Sequence, residues 1–171
     1  MSGRTATELL GSEQTTTCKN DGITMQRDQI EALIPVREPY LWVDEVVEVT
    51  PTQIHARKHL PADLPLFAGH YVDFPVFPGA LQCECAFQAA AILIAQTRQT
   101  TEGRIPVIAR VNNVKFRQVV RPGSTLDIHV QLVEEMRRVL LLSGRLSVDG
   151  QTTAQLEFAA TEADQSRLEN R

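Results

Sequence analysis

The feature that most constrains the fold is a long apolar segment that opens with Pro78-Gly79 and contains one acidic residue. Between Phe74 and Thr97 the only charged side chain is Glu84. Proline suits the first turn of a helix because an N–H at that position would have no partner, and good helix formers follow. The segment predicts a helix over about residues 79–98 that is apolar nearly all round and is therefore buried in a core.

Strand signals lie on both sides of this helix, and a short helix is predicted over residues 28–33, ahead of Pro35. Alternating apolar and polar residues predict the strands, and Asp149-Gly150 is a strong signal for a tight hairpin. The predicted strands cover residues 40–49, 53–60, 107–116, 126–132, 139–148 and 152–160. Together with one buried helix they predict an α+β fold, a curved antiparallel sheet wrapped around one long central helix.

The chain has 171 residues, which suits one domain, and we place it at residues 25–162. Residues 1–24 are polar and predict a flexible N-terminal tail without the apolar core of a signal peptide. Residues 163–171 predict a charged C-terminal tail. The longest apolar run of the helix, residues 89–95, is far too short to span a membrane.

Net charge and cysteine content narrow the possible partners and compartment. A net charge of −4 gives no general basic field for nucleic acid, so an acidic partner would need a local basic patch. Three cysteines, Cys18, Cys83 and Cys85, form no scaffold spacing and predict reduced thiols in a cytoplasmic protein. Cys83 and Cys85 point to different sides of a helix, which makes them a poor metal clamp.

Glu84 is the first candidate functional residue. An unpaired carboxylate inside an apolar helix is unfavourable unless it is protonated or hydrogen-bonded. Gln88 lies one turn later on the same helix face, and an amide beside a carboxyl predicts a small polar pocket with orienting hydrogen bonds. The alternative is that Glu84 faces solvent or the rim of a subunit.

His70 is the second candidate, because it alone of the four histidines lies in a stiff, proline-rich loop that leads into a helix start. His55 and His59 lie in a predicted strand, and His129 alternates with core positions and should face outward. Histidine exchanges protons near neutral pH, and a carboxyl kept from water can act as its acid partner. A lone histidine is nevertheless more often structural than catalytic.

The helix start is the third element of the site. The N–H groups of Gly79 and Ala80 come before the first helical hydrogen bonds and can stabilise a carbonyl oxygen that gains negative charge. Gly79 has no side chain, so a substrate can approach the backbone. A base, an acid and a carbonyl-polarising helix end fit proton abstraction next to a carbonyl, with loss of a β-hydroxyl.

The segment GHYVDFPVFPGALQCECAFQAA resembles the active-site segment of the 3-hydroxyacyl-acyl carrier protein dehydratases, which are hotdog-fold enzymes of fatty-acid synthesis. The match consists of Gly69-His70, Pro75-Val76-Phe77-Pro78-Gly79, Glu84 and Gln88 at the family's spacing. IPVREPYLWVDEV and VNNVKFRQVVRPGSTLDIHVQL resemble the family's entry segment and later strands. The resemblance covers roughly residues 28–160.

The resemblance implies a hotdog dimer, or a trimer of dimers, with the active site at the subunit interface. His70 of one subunit would remove the C2 proton, and Glu84 of the other would help the C3 hydroxyl to leave as water. The Gly79 N–H would polarise the thioester carbonyl, with further substrate contacts from Phe74, Val76, Phe77 and Gln88.

The resemblance also implies that no metal or redox cofactor is needed, because an acyl carrier protein presents the acyl group on its phosphopantetheine arm. Cations near the tunnel mouth could meet this acidic carrier, although ordinary solvation explains each one singly. The candidate cations are Arg110, Lys115, Arg117 and Arg121.

Several positions depart from the family pattern. The family's usual histidine before Arg37 is Val36, the Phe-Pro after the catalytic histidine is Tyr71-Val72, and Gln82 and Cys83 replace larger aliphatic residues. These changes leave the proton-transfer pair intact and alter the walls, which indicates a specialised acyl substrate. A hotdog thioesterase, which needs a positioned water, and a non-catalytic binding subunit are the alternative functions.

Overall fold

The computed structural model describes residues 23–98, 103–164 and 166. Two short helices, one long helix and seven strands are present in these residues. In chain order they are β1 (Ile23–Met25), α1 (Arg27–Leu33), β2 (Glu45–Val49), β3 (Gln53–His59), α2 (Leu66–Gly69), α3 (Gly79–Thr97), β4 (Arg104–Phe116), β5 (Thr125–Met136), β6 (Val139–Val148) and β7 (Gln151–Asp164).

All seven strands belong to one antiparallel sheet in the order β1-β2-β3-β5-β6-β7-β4. Strands β5, β6 and β7 form consecutive hairpins, and the predicted turn at Asp149-Gly150 joins the last two. Both turn residues have positive φ, 49° and 76°, as a two-residue hairpin of this kind requires. Strand β4 crosses over to pair with β7 and forms one edge of the sheet.

The face of the sheet against α3 forms the core. Alternation in β5 places Leu126, Ile128 and Val130 in this core and His129 on the opposite face, which we call the outer face. There His129 stacks on His55 of β3, with ring centroids 4.1 Å apart. The outward orientation predicted for His129 is therefore confirmed.

Helix α3 is buried over most of its length, as its apolar sequence predicted. It approaches β6 so closely at Gly144 that a Cβ there would lie 2.8 Å from Leu156 Cδ2 and 3.2 Å from Ala86 Cβ. A glycine in a central strand therefore allows the helix to pack into the curved sheet. The architecture is the predicted hotdog arrangement, one central helix covered by a wide antiparallel sheet.

Residues 40–44 differ from the prediction, because the strand predicted over 40–49 begins only at Glu45. The side chain of Gln88 bonds the Tyr40 carbonyl and the Trp42 N–H, so these backbone groups are paired with a helix side chain. The Asp44 carboxylate accepts hydrogen bonds from Lys58 Nζ and from the His59 N–H. This segment therefore crosses the helix instead of extending the sheet.

The strands at both ends continue past the domain boundaries predicted from the sequence. Strand β1 begins at Ile23, inside the predicted tail 1–24, and β7 continues to Asp164, inside the predicted tail 163–171. The rest of the N-terminal tail, with Cys18, lies outside the described residues, as does most of the C-terminal tail. Cys83 and Cys85 are buried free thiols.

Candidate active site

His70 directly follows α2 and begins the loop that leads to α3. Its Nδ1 lies 2.8 Å from the carbonyl oxygen of Val76. A carbonyl oxygen only accepts hydrogen bonds, so Nδ1 must be the protonated nitrogen and donate to it. The neutral ring then has its lone pair on Nε2, where it can accept a proton. The Val76 carbonyl thus selects the tautomer that a general base needs.

The loop around His70 is fixed at several points. The backbone of Tyr71 has a positive φ of 58°. Its ring meets the His70 ring edge-on, with centroids 4.7 Å apart. The Phe77 N–H donates to the Val120 carbonyl at 2.8 Å. The Phe77 side chain is 2% exposed and packs edge-on against Trp42. Phe77 therefore supports the loop from the core side.

Glu84 is half-buried on α3, and its carboxyl is held by its neighbour Gln88. Gln88 Nε2 donates to Glu84 Oε1 at 2.9 Å and to the Tyr40 carbonyl at 2.8 Å. Gln88 Oε1 accepts from the Trp42 N–H at 2.7 Å. The two backbone partners fix the orientation of the Gln88 amide, so that its nitrogen faces the Glu84 carboxyl. This is the orienting contact that the spacing of Glu84 and Gln88 predicted.

Tyr40 is a neighbour of Glu84 that the sequence did not reveal. Its side chain is 54% exposed. The negative charge of Glu84, followed by burial, raises the pKa of Tyr40. A tyrosine 44 positions before Glu84 in the sequence gives no local signal that the two side chains lie near each other.

The start of α3 presents free backbone donors. The N–H groups of Leu81 and Gln82 donate to the Pro78 carbonyl at 3.1 Å, so those of Gly79 and Ala80 precede the first helical bonds. The ring of Phe116 lies over this end, since a Cβ on Gly79 would be 2.8 Å from two of its carbon atoms. A side chain at position 79 would therefore displace the Phe116 ring, which is 55% exposed.

A cavity of about 180 Å³ lies beside Glu84, between α3 and β4. Apart from Glu84 and Gln88 its walls are apolar, and they include Val36, Phe87, Ala91 and Ile108. Val36, at the position where a histidine is usual in the resembled family, contributes to this apolar wall. An apolar wall beside a carboxyl group suits an apolar substrate that carries a polar reacting group.

The single chain does not bring the two predicted proton-transfer residues together. His70 contacts Val76 and Tyr71, whereas Glu84 bonds Gln88. Strand β4 lies beside the start of α3 and beside Glu84, because Phe116 covers Gly79 and Ile108 lines the cavity next to Glu84.

The remaining predicted residues lie around the loop that follows His70. Phe74 is half exposed, and the Arg121 guanidinium lies over its ring at 3.8 Å from the centroid. Among the four candidate cations, Arg121 thus contacts this loop. Arg117 bonds Gln155, and Lys115 lies on the outer face.

A larger groove of about 810 Å³ on the outer face contains none of the predicted site residues. It is polar and of mixed charge, with His129, Lys115, Arg145 and Glu157 among its walls. We place the candidate site at the smaller cavity, because Glu84 and Gln88 line it. Within residues 23–98 and 103–164, no group of three or more His, Cys, Asp or Glu side chains could hold a metal ion. No helix in these residues is long and apolar enough to cross a membrane.

Sequence comparison with known proteins identifies one matching family and a set of similarly named relatives. The profile of the FabA-like domain family matches residues 34–157. The chain is 37% identical over 145 residues to the 3-hydroxyacyl-[acyl-carrier-protein] dehydratase FabZ of Rickettsia bellii, covering 84% of this chain and all of that protein. It is also 37% identical to FabZ of Oleidesulfovibrio alaskensis, over 77% of this chain and 87% of that protein.

Solved structures agree on the fold. The dehydratase heterocomplex ApeI:P from Xenorhabdus doucetiae superposes with a TM-score of 0.68 at 16% identity, covering 83% of this chain and 97% of that one. A mutant thioesterase from Pseudomonas aeruginosa superposes with a TM-score of 0.60 at 13% identity, covering 80% of this chain and 92% of that one. Because the fold is similar to that of both kinds of enzyme, it does not distinguish dehydration from hydrolysis.

We expect Gln88→Met to destabilise the protein by about 2 kcal/mol or more, since it leaves the Trp42 N–H and the Tyr40 carbonyl without partners. Urea unfolding measures this change. Gln96→Met, the same substitution two turns later at a less buried position of α3, is the matched control and should change stability much less. Equal losses in the two variants would contradict a special role for the Gln88 bonds.

Proposed function

The chain belongs to the FabA-like domain family, and from this membership we propose that it is a 3-hydroxyacyl-[acyl-carrier-protein] dehydratase. It converts a 3-hydroxyacyl thioester to the trans-2-enoyl thioester in fatty-acid biosynthesis. The observation that carries the proposal is the 37% identity to FabZ over that protein's whole length. The family match over residues 34–157 includes His70, Glu84 and Gly79.

In the proposed mechanism, three groups of the protein act on the substrate: the His70 ring, the Gly79 N–H and the Glu84 carboxyl. His70 Nε2 takes the proton from C2 of the substrate, because its Nδ1 is already bonded to Val76. The N–H of Gly79 donates to the thioester oxygen as negative charge develops there. Glu84 gives its proton to the C3 hydroxyl, which leaves as water with the electrons of the C3–O bond. The C2–C3 double bond forms, and proton return from His70 to Glu84 restores the enzyme.

We further propose that a second copy of the chain completes the site, with His70 of one copy facing Glu84 of the other. Strand β4 supports this proposal, because it is a 13-residue sheet edge with exposed apolar side chains. Its exposed apolar residues are Ile108, Val111, Val114 and Phe116, at 37%, 41%, 39% and 55% exposure. An apolar edge strand of this length favours pairing with another strand.

A mixture of His70→Ala and Glu84→Gln chains tests this shared site. Each variant alone is expected to be inactive, but a mixed dimer has one doubly altered site and one intact site. Random association from equal amounts should restore roughly a quarter of the wild-type rate. The two chains are unfolded and refolded together, or co-expressed, and turnover is measured. A mixture as inactive as its parts would contradict a site shared between copies.

The proposed carrier of the substrate is an acyl carrier protein, and Arg121 is the proposed contact for its acidic surface. Its guanidinium is exposed and stacked on Phe74, in the loop that contains His70. Stacking on an aromatic ring orients a guanidinium without neutralising it. Arg121 is therefore a fixed positive charge beside the entrance that the phosphopantetheine arm would use.

We expect Arg121→Glu to raise the KM for a carrier-bound substrate about tenfold and to change kcat by less than about twofold, since a charge at the rim acts on encounter. The same acyl group on coenzyme A should show a much smaller effect. Lys115→Glu makes the same charge change on the outer face and should leave both constants unchanged. Similar effects of the two reversals would point to net charge instead of a contact at Arg121.

For the chemistry itself, we expect the wild-type protein to form enoyl product from a 3-hydroxyacyl carrier thioester. His70→Ala and Glu84→Gln should each lower kcat by about 100- to 10,000-fold, because each removes a proton-transfer group. Mass detection of substrate and products measures the turnover, and circular dichroism and size determination show that the variants remain folded. Release of free acid would indicate a thioesterase, and absence of any turnover would indicate a binding subunit.

A further inference from the structure

We propose that Ile94 ends the acyl pocket and thereby determines the longest acyl chain that the protein accepts. This role rests on the proposed function and names the part of the substrate that the site selects. Two cavities lie next to each other along α3. One is the cavity of about 180 Å³ beside Glu84, and the other, of about 100 Å³, lies beside Arg98 at the end of the helix.

The cavity beside Glu84 follows α3 toward the C-terminal end of the helix. Its helix walls include Glu84, Gln88, Ala91 and Ile94, which are three or four residues apart and therefore share one face. Glu84 and Ile94 lie about 15 Å apart along the helix axis, given the rise of an α-helix. An acyl chain whose C3 lies at Glu84 would run along this face, with its far end at Ile94.

Strand β4 lies along the same path, and its contacts fix the order of the two cavities. Phe116 covers Gly79 at the start of α3, Ile108 lines the cavity beside Glu84, and Pro106 lines both cavities. The strand thus runs opposite to the helix, from the end of α3 to its start. The second cavity therefore continues the first one between the same helix and strand.

Ile94 is the main barrier between the cavities. Three residues line both of them, Ile94, Pro106 and Ala160, and these form the wall between the two spaces. Ile94 has the longest side chain of the three and is 7% exposed, whereas Ala160 contributes only a methyl group. Shortening the side chain of Ile94 is therefore the change that should join the cavities.

The space beyond Ile94 has an apolar floor and a charged rim. Leu140 in its floor is 9% exposed. At its rim, Arg98 Nη1 lies 2.6 Å from Glu135 Oε2 in an ion pair. A chain that passed Ile94 would bury further methylenes against Leu140. The second cavity can thus accept a longer acyl chain once the barrier is removed.

The first experiment measures the length of the pocket without using activity. Saturated acyl thioesters of coenzyme A have no C3 hydroxyl, so they cannot be dehydrated, and calorimetry gives their Kd. In the wild-type protein each added methylene should tighten binding about fourfold until the chain reaches Ile94, with no gain beyond it. In Ile94→Ala the gain should continue for at least one further methylene. A plateau at the same length in both proteins, or no binding at any length, would overturn the proposal.

The second experiment measures selection during turnover, as kcat/KM for 3-hydroxyacyl thioesters of increasing length. The wild-type value should fall about tenfold or more at the first chain that reaches past Ile94, the usual effect of a methylene that does not fit. Ile94→Ala should move this fall to a longer chain. Ala91→Leu should move it to a shorter chain, because leucine would fill the cavity on the Glu84 side of Ile94.

Ile92→Ala is the matched control, since it makes the same substitution two residues away in α3. Ile92 is 0% exposed and is not among the walls of either cavity, so the wild-type length limit should remain. If either alanine variant does not fold, Ile94→Val and Ile92→Val make the same comparison with a smaller change. An equal shift in both members of a pair would indicate a general loosening of the helix and would contradict a specific role for Ile94.

These outcomes separate the two proposals. If the wild-type protein forms no enoyl product from any thioester, the proposed function fails, while the binding series still decides whether Ile94 ends the pocket. If enoyl product forms and Ile94→Ala keeps both the binding plateau and the length limit of the wild type, the function stands and the role of Ile94 is wrong.

Discussion

The candidate site depends on one buried side-chain amide, that of Gln88. A buried amide must find partners for its donors and its acceptor, and this one uses them on the Tyr40 carbonyl, the Trp42 N–H and the Glu84 carboxyl. Trp42 in turn packs on Phe77, whose N–H is tied to Val120 and whose loop contains His70. Within each chain the amide thus connects Glu84 on α3 with the loop that contains His70.

The features that the sequence predicted correctly are those with strong local signals. Helix α3 was predicted at 79–98 and extends over Gly79–Thr97, because an apolar run after Pro78-Gly79 has few alternatives. The turn at Asp149-Gly150 was predicted from two residues. Residues 40–44 were wrongly predicted as strand, since Gln88, 46 to 48 positions away, takes their backbone bonds. The sequence did not indicate Tyr40 for the same reason, because Glu84 is distant from it in the sequence and comes near it only through the fold.

The sequence thus identified the candidate site residues by their type and spacing, but it did not predict which groups surround them. The pairing of Glu84 with Gln88 follows from helical spacing alone, and the structure adds which atoms meet. The hydrogen bond of His70 to the Val76 carbonyl depends on the path of a loop, which no periodicity describes. It is nevertheless the contact that decides which ring nitrogen can act as the base.

The edge of the sheet bears on the proposed shared site, because a single chain holds the two proposed proton-transfer residues in separate surroundings. Helix α3 covers the strands near the middle of the sheet, and β4 at the edge keeps a row of apolar side chains exposed. The same strand provides Phe116 over Gly79 and Ile108 beside Glu84. A strand that contributes to both parts of a site and is itself uncovered joins catalysis to association. If a second copy covers β4 as we propose, that copy also forms a wall of the site and helps to determine which acyl group fits.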